Sequence, residues 1–364
     1  MEIRIEPLDT LFFRDGKPFT IGEETWADSN LLPSPSVIYG ALRTAIATQE
    51  GIEFEDIEDK LKEDKVSVKN IYYYTDGNRL PMPLDFVELK HNTDKNEKNK
   101  VWIVNALELL PKKSIIHKAK QHGFTHFLKH KDQAETIDDG LISTADFEDY
   151  LIGYLDEVKV KRVSKNYIDN EPKIGIGRDD STKTSDAGSL FRTDMKRFKK
   201  KNLKEPALKI GVCLKTDLGI NTLVRLGGEG KIIDLSHLPK DTLPFKINTQ
   251  DIDFDESIFR VYLSTPAIFW DGYPTFPSKW GINATLIAAC VGKPLSIGGY
   301  DMKNNKPKPM YQVVPAGSVF YFDCKDDLSL LQKVLNDNQG MALSDVYPEQ
   351  GFGIAYFGAY HKAE

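Results

Sequence analysis

Cysteine is scarce in this sequence. Cys213, Cys290 and Cys324 are scattered, with no CxxC pair and no even framework, so a reduced intracellular setting is expected. Long apolar runs are also lacking. The longest, near Leu286–Val291, is far too short to span a bilayer, and the opening Met1-Glu-Ile-Arg-Ile reads as a charged strand and not as a secretion signal. These absences predict a soluble, cytoplasmic protein. Histidine is missing before His91 and within five residues of Gly227 to Gly230, which leaves those stretches without the commonest general acid or base. No HExxH motif occurs, since Gly123 follows His122, and no Walker motif occurs, since Ile232 follows Lys231 and Arg225 stands where its first glycine belongs.

What the sequence does have is segregated charge. The 364 residues, 40% of them hydrophobic, can bury a full core and favour two domains over one. The net charge of −6 argues at first against a polyanionic partner. Yet residues 158–209 carry 15 Lys and Arg against 7 Asp and Glu, a local net of +8 that leaves −14 for the rest. A basic segment beside an acidic body can steer a polyanion to one face, while Glu50–Asp64 and Asp132–Glu157 stay solvated or meet a basic partner.

The stretch Thr222–Asp234 joins two short apolar segments through Gly227-Gly228-Glu229-Gly230, with Arg225 and Lys231 at the flanks. Two readings stand side by side. Glycines permit positive φ and close backbone approach, so the loop can turn its N–H groups toward a phosphate; a plain hairpin turn asks for the same residues.

Taken in order, residues 2–8 alternate as a half-buried strand, and 35–49 make a helix whose apolar stripe is Ile38, Ala41, Leu42, Ala45 and Ile46. Ser34 suits the N-cap and Pro35 the first helical position. That helix start, with Ser34 and Ser36, is a candidate anion site, and Arg43 lies off the stripe where it can reach the same ligand. Residues 66–90 read as a strand pair turning at Thr75–Asn78, 91–100 as a polar loop and 101–107 as a strand. His122, His126 and His130 are spaced four apart, as on one helix face, but the third ligand and fixed geometry of a zinc site are not evident, so no metal is expected. The centre of the basic segment, Glu171–Arg192, pairs Gly175 and Gly177 with a hydroxyl-rich run and predicts a projecting hairpin, either a solvated charged loop or a surface that tracks an RNA backbone.

After Pro239–Pro244 the pattern restarts. Strands are expected at 257–270, 284–291, 296–302, 311–322 and 352–360, with a helix over 326–336. The order is β, short helix or loop, β, β, α, β, and the first half repeats it with insertions. The expected fold is therefore α+β, two tandem ferredoxin-like (RRM-like, βαββαβ) domains, 1–240 carrying the basic hairpin at about 158–209, and 245–364.

Five stretches in sequence, Pro33–Thr44, Glu171–Asp179, Arg225–Lys231, Gly299–Met302 and Val314–Phe320, together resemble one family. The chain is similar, end to end, to the RAMP-superfamily subunit of type III-B CRISPR (Cmr) effector complexes that caps the 5′ end of the guide RNA. The resemblance implies that it binds the repeat-derived 5′ tag of the crRNA without cutting it, uses no cofactor, and adjoins the large polymerase-like subunit and a neighbouring backbone RAMP subunit. By motif match it implies RNA contacts from Ser34, Ser36 and Arg43; from Lys173, Arg178, Lys183 and Arg192 on the hairpin; from Arg225, Gly227, Gly228, Gly230 and Lys231; and from Met302, Lys303 and Lys308. Tag bases can stack on aromatics such as Trp270, Tyr300 or Phe191. Rival expectations are an endoribonuclease of the same superfamily and a scaffold that touches no RNA.

Overall fold

The computed structural model describes residues 1–14, 26–27, 29–53, 56–61, 66–90, 101–111, 123–179, 181–182, 184–202, 206–215, 222–238, 244–250, 252–254, 256–301 and 304–361. The fold is α+β, with mostly antiparallel sheets and few helices among the described residues. The chain divides into two compact units, neither of them continuous. One comprises Met1–Val68, Val163–Thr242 and Leu295–Gln312; the other comprises Lys69–Arg162, Leu243–Pro294 and Val313–Glu364. This differs from the consecutive domains 1–240 and 245–364. Element order along the chain carries no information about which distant strand completes a sheet, and the pairing is decided by register and burial.

In the first unit, Glu2–Pro7 lies between Lys209–Leu214 and Ile232–His237, antiparallel to both, with Ile5 opposite Ile210 on one side and Leu235 on the other. Period-two alternation turns Ile3 and Ile5 inward, where both are fully buried. Each such side chain contributes about 1.5–3 kcal/mol. The helix Pro35–Glu50 buries Ile38, Leu42, Ala45 and Ile46, the stripe its spacing predicts, and ends at Gly51, whose left-handed φ of +66° lets its N–H bond the last-turn carbonyls.

In the second unit, a five-stranded sheet runs in the order Ala284–Cys290, Val319–Cys324, Ile258–Leu263, Ile354–Ala359, Met341–Ala342, every neighbour antiparallel. The helix Leu328–Asp337 starts where the Asp327 carboxylate accepts the Ser329 N–H at 2.8 Å. The single strand expected over 311–322 is broken by Pro315–Ser318. Gly317 there has φ +85° and donates its N–H to the Leu263 carbonyl at 2.7 Å. His126 corrects the expectation of a shared helix face: His126–Lys129 is a strand paired with Glu108–Pro111. Its neighbours Phe127 and Leu128 pack in a cross-strand ladder with Leu110 and Leu109, and spacing four on a strand puts no turn of helix beneath the rings. His117, His122 and the polar stretch 91–100 lie outside the described residues.

The core of this unit holds a buried polar cluster. Asp85 accepts hydrogen bonds from Tyr150 at 2.8 Å and Tyr321 at 2.7 Å, with the Arg260 guanidinium 3.9 Å away. Arg260 donates to the Ala359 and Tyr150 carbonyls and lies 4.1 Å from the centre of the Tyr150 ring. Burial pushes the Asp85 carboxyl above the ordinary carboxylate range, opposed by Arg260 and the two tyrosine hydroxyls.

Candidate nucleic-acid interface

The basic segment of the first unit folds into a long hairpin. Ile168–Arg178 pairs with Ser185–Phe198 in unbroken antiparallel register from Ile168 opposite Phe198 to Ile176 opposite Leu190, with a bulge before Arg178 meets Ser185. Directly opposed residues share a face. One face therefore carries Ile174 with Arg192 and Ile176 with Leu190, and the three apolar side chains are exposed, Ile174 to 71%. The other carries exposed Lys173 with Thr193, and Gly175 with Phe191. The Phe191 ring lies across Gly175 where any Cβ would collide with it, so the glycine is there for the aromatic. At the tip, the Asp179 carboxylate accepts from the Ser181 N–H at 2.9 Å and from the N–H and hydroxyl of Thr182 at 2.7 and 3.0 Å. The Ser181 hydroxyl also donates to it and, with these bonds, holds the carboxyl well below its usual range. The Ser181 and Thr182 hydroxyls are thus turned onto the turn itself.

The hairpin base is tied to the chain just past the first strand. Leu11 and Lys196 exchange both backbone hydrogen bonds, at 2.9 and 2.8 Å. Around that bridge the cations are paired within the protein. The buried Lys196 ammonium donates to Asn170 at 2.8 Å and Asp194 at 2.9 Å, Arg197 forks onto Glu171, and Lys199 meets Asp169 at 3.1 Å. Lys231 reaches Asp9 at 3.0 Å; the Thr10 N–H and this ammonium hold the Asp9 carboxyl below its ordinary value. Lys200 and Lys201 are exposed, and Lys204 lies outside the described residues.

The glycine-rich stretch is a hairpin turn. Thr222–Arg225 pairs with Ile232–His237, and the Leu226 N–H bonds the Lys231 carbonyl at 3.0 Å. Gly227 and Gly230 have φ of +76° and +62°, and Glu229 shares the left-handed region at +60°. The turn presses on the segment after the first strand: Gly228 donates to the Phe12 carbonyl at 2.9 Å, a Cβ on Gly227 would collide with that carbonyl, and one on Gly228 would stand 2.9 Å from the Phe12 ring. Gly230 faces open space and Arg225 is exposed.

At the first helix, Ser34 makes no side-chain cap; its hydroxyl meets that of Ser36 at 2.9 Å. Arg43 does not turn toward that helix start. It donates to the carbonyls of Ile57 at 3.1 Å and Leu61 at 3.3 Å, satisfying the end of the short helix Ile57–Lys60. Lys308 is exposed on the Leu295–Gln312 arm of this unit, its stem lying over Gly299. Lys183, Met302 and Lys303 lie outside the described residues, and of Arg178 the structure describes the backbone.

Sequence reasoning missed the partners: Asp9, Phe12, Asn170 and Asp194 decide which cations and glycines are committed. Among the described residues, no cluster of three or more His, Cys, Asp or Glu is arranged to hold a metal, and no helix is long and apolar enough to cross a membrane.

An α+β protein of mostly antiparallel sheets that projects a long hairpin with lysine and arginine among exposed apolar residues is the class these observations define. Residues 3–360 match the family of the CRISPR-associated protein Cas_Cmr3, and the chain belongs to that family, which makes it a component of the Cmr complex. No curated protein matches. Among solved structures, one similar chain is from a cryo-EM structure of the type III-B Cmr-beta complex bound to cognate target RNA, with 16% identity, TM-score 0.48, and coverage of 92% of this chain and 94% of that one. A second comes from the same complex with target RNA and AMPPnP, with 18% identity, TM-score 0.46, and coverage of 93% and 89%. A third is in a Csm3-Csm4 subcomplex of the type III-A interference complex, with 12% identity, TM-score 0.36, and coverage of 90% and 93%.

Proposed function

We propose that this Cmr component is the non-catalytic subunit that caps the repeat-derived 5′ tag of crRNA in the cytoplasm and docks the large polymerase-like subunit beside a backbone RAMP subunit. The observation that carries the reading is the long hairpin, which presents exposed Ile174, Ile176 and Leu190 with Arg192 on one face and exposed Lys173 on the other. Cations track phosphates and apolar side chains pack on base faces, a combination that suits single-stranded RNA. Arg225 at the glycine turn, Lys308 and the unpaired part of the basic run extend the cationic surface. The five-stranded sheet supports the ferredoxin-like reading: the strands at 258–263, 284–290, 319–324 and 354–359 stand in spatial order 2-3-1-4, all antiparallel, with helices after the first and third.

The test is fluorescence anisotropy of the full chain, alone and with its large-subunit partner, against a short RNA carrying the 5′ tag and a scrambled control, over a salt series with a gel for cleavage. Tag-selective binding with intact RNA is expected. Lys173→Glu with Arg225→Glu weakens it and lowers the slope of log K against log salt by about 1.4, the share of two phosphate contacts on a single strand. Cleaved RNA would revive the nuclease, and absence of binding with the partner present would leave the scaffold.

A further inference from the structure

The second unit presents an aromatic surface of opposite electrostatic character. Trp270 is 69% exposed at the corner of a tight turn closed by the Gly272 N–H on the Phe269 carbonyl at 3.1 Å, with Gly272 at φ +77°. The turn is held from behind. Ala267 and Val314 exchange backbone bonds at 2.9 and 2.8 Å, Ile268 donates to the Ser344 hydroxyl at 3.0 Å, and Asp345 donates its N–H to the Ile268 carbonyl at 2.8 Å. The Asp345 carboxylate in turn accepts the Trp270 N–H at 3.1 Å. Two residues on, Tyr347 stands in the left-handed region at φ +57°, a conformation a non-glycine residue keeps only where its surroundings impose it. Exposed Tyr273 belongs to the same loop as Trp270.

The charge of these loops is one-sided. Residues 264–275 contain Asp271 and no Lys or Arg, and residues 340–351 contain Asp345 and Glu349 and no Lys or Arg. Lys279 approaches, but its ammonium is engaged with Asp345 at 3.3 Å. Lys279 and Asp345 offset each other, which leaves exposed Asp271, next to Trp270, with no cation in these loops against it, and a base stacking on Trp270 would bring its phosphates toward that carboxylate, which repels them. A guanidinium or ammonium over the indole face would be attracted by the ring and by Asp271 together.

We propose that the Trp270 turn is a docking point for a protein partner, whose segment lays an arginine or lysine side chain across the indole. These bonds already fix the backbone of the turn, so binding there orders the indole without ordering a loop, which favours an interface anchor. This assigns Trp270 to protein assembly, separately from the RNA surface of the first unit.

The experiment places the photo-crosslinking residue p-benzoylphenylalanine at position 270 of the full chain, assembled with its Cmr-complex subunits and guide RNA, and sequences the adduct. The expected product joins position 270 to a peptide of another subunit that contains Arg or Lys. Trp270→Ala and Asp271→Lys then each weaken association with that subunit about tenfold, and Trp270→Phe weakens it less. Melting curves check that each variant is folded, and tag-RNA anisotropy is read in parallel, so a failure here is distinct from a failure of the RNA reading. An adduct to RNA, to a second copy of this chain or to a peptide without Arg or Lys overturns the proposal. So does the lack of any adduct, or a Trp270→Ala variant that loses tag RNA and keeps its subunits.

Discussion

Arg260 in the second unit and Arg197 in the first are both paired with carboxylates, but in surroundings that give the pairs different consequences. Arg260 is buried, bonded to two backbone carbonyls and facing Asp85, which two tyrosines also bind. Arg197 is half-exposed, forked onto Glu171 with Asp9 at 3.7 Å. Lys196 stands between these cases, buried yet paired with an Asp194 that water reaches. In the interior a pair fixes which segments meet, because an unpaired charge there is intolerable. At the surface a pair mainly cancels charge, so the local excess of +8 in residues 158–209 overstates what an RNA would meet.

Substitutions at Arg260, Lys196 and Arg197, with Asp85 added to the first, grade that contrast. Arg260→Met removes one partner of the buried pair and lowers the unfolding free energy by about 3–5 kcal/mol in urea denaturation. Adding Asp85→Asn recovers part of the loss, since the stranded carboxylate is gone; no recovery would mean that the guanidinium bonds to Ala359 and Tyr150 dominate. Lys196→Met strands Asn170 and Asp194 but leaves Asp194 partly solvated, and an intermediate loss of about 1–3 kcal/mol is expected from the same denaturation curves. Arg197→Ala leaves the melting temperature unchanged within the scatter of repeated scans, because solvent replaces what Glu171 and Asp9 lose. A large drop for Arg197→Ala would erase the distinction between the regions.

Legibility followed the range of the interactions. The first helix was readable because Ile38, Leu42, Ala45 and Ile46 recur at helical spacing, and its end at Gly51 is a one-residue conformational matter. The helix at 328–337 was readable for the same reason. The hairpin at 168–198 was expected from glycine and charge, yet its faces were not, because a one-residue change of register would exchange Ile174 and Lys173 between them. His126 misled because spacing four suggests a helix face only when the chain is helical. The glycines at 227 and 228 permit close backbone approach, which the sequence leaves open between a phosphate and a plain turn. What approaches is Phe12, some two hundred residues away in sequence, and no local pattern announces it.

The sequence by itself determined the family, the α+β class, the position of the basic hairpin and the helices whose apolar stripes are local. Only the tertiary structure decided that residues 69–162 join the second unit, that Lys196, Arg197 and Lys231 are held by acids of their own chain, and that the backbone of Trp270 is held by Asp345. The reason is physical: periodicity and capping act over a few residues, whereas strand register, ion pairing and the electrostatic setting of an exposed side chain arise from segments that meet only when the chain has folded.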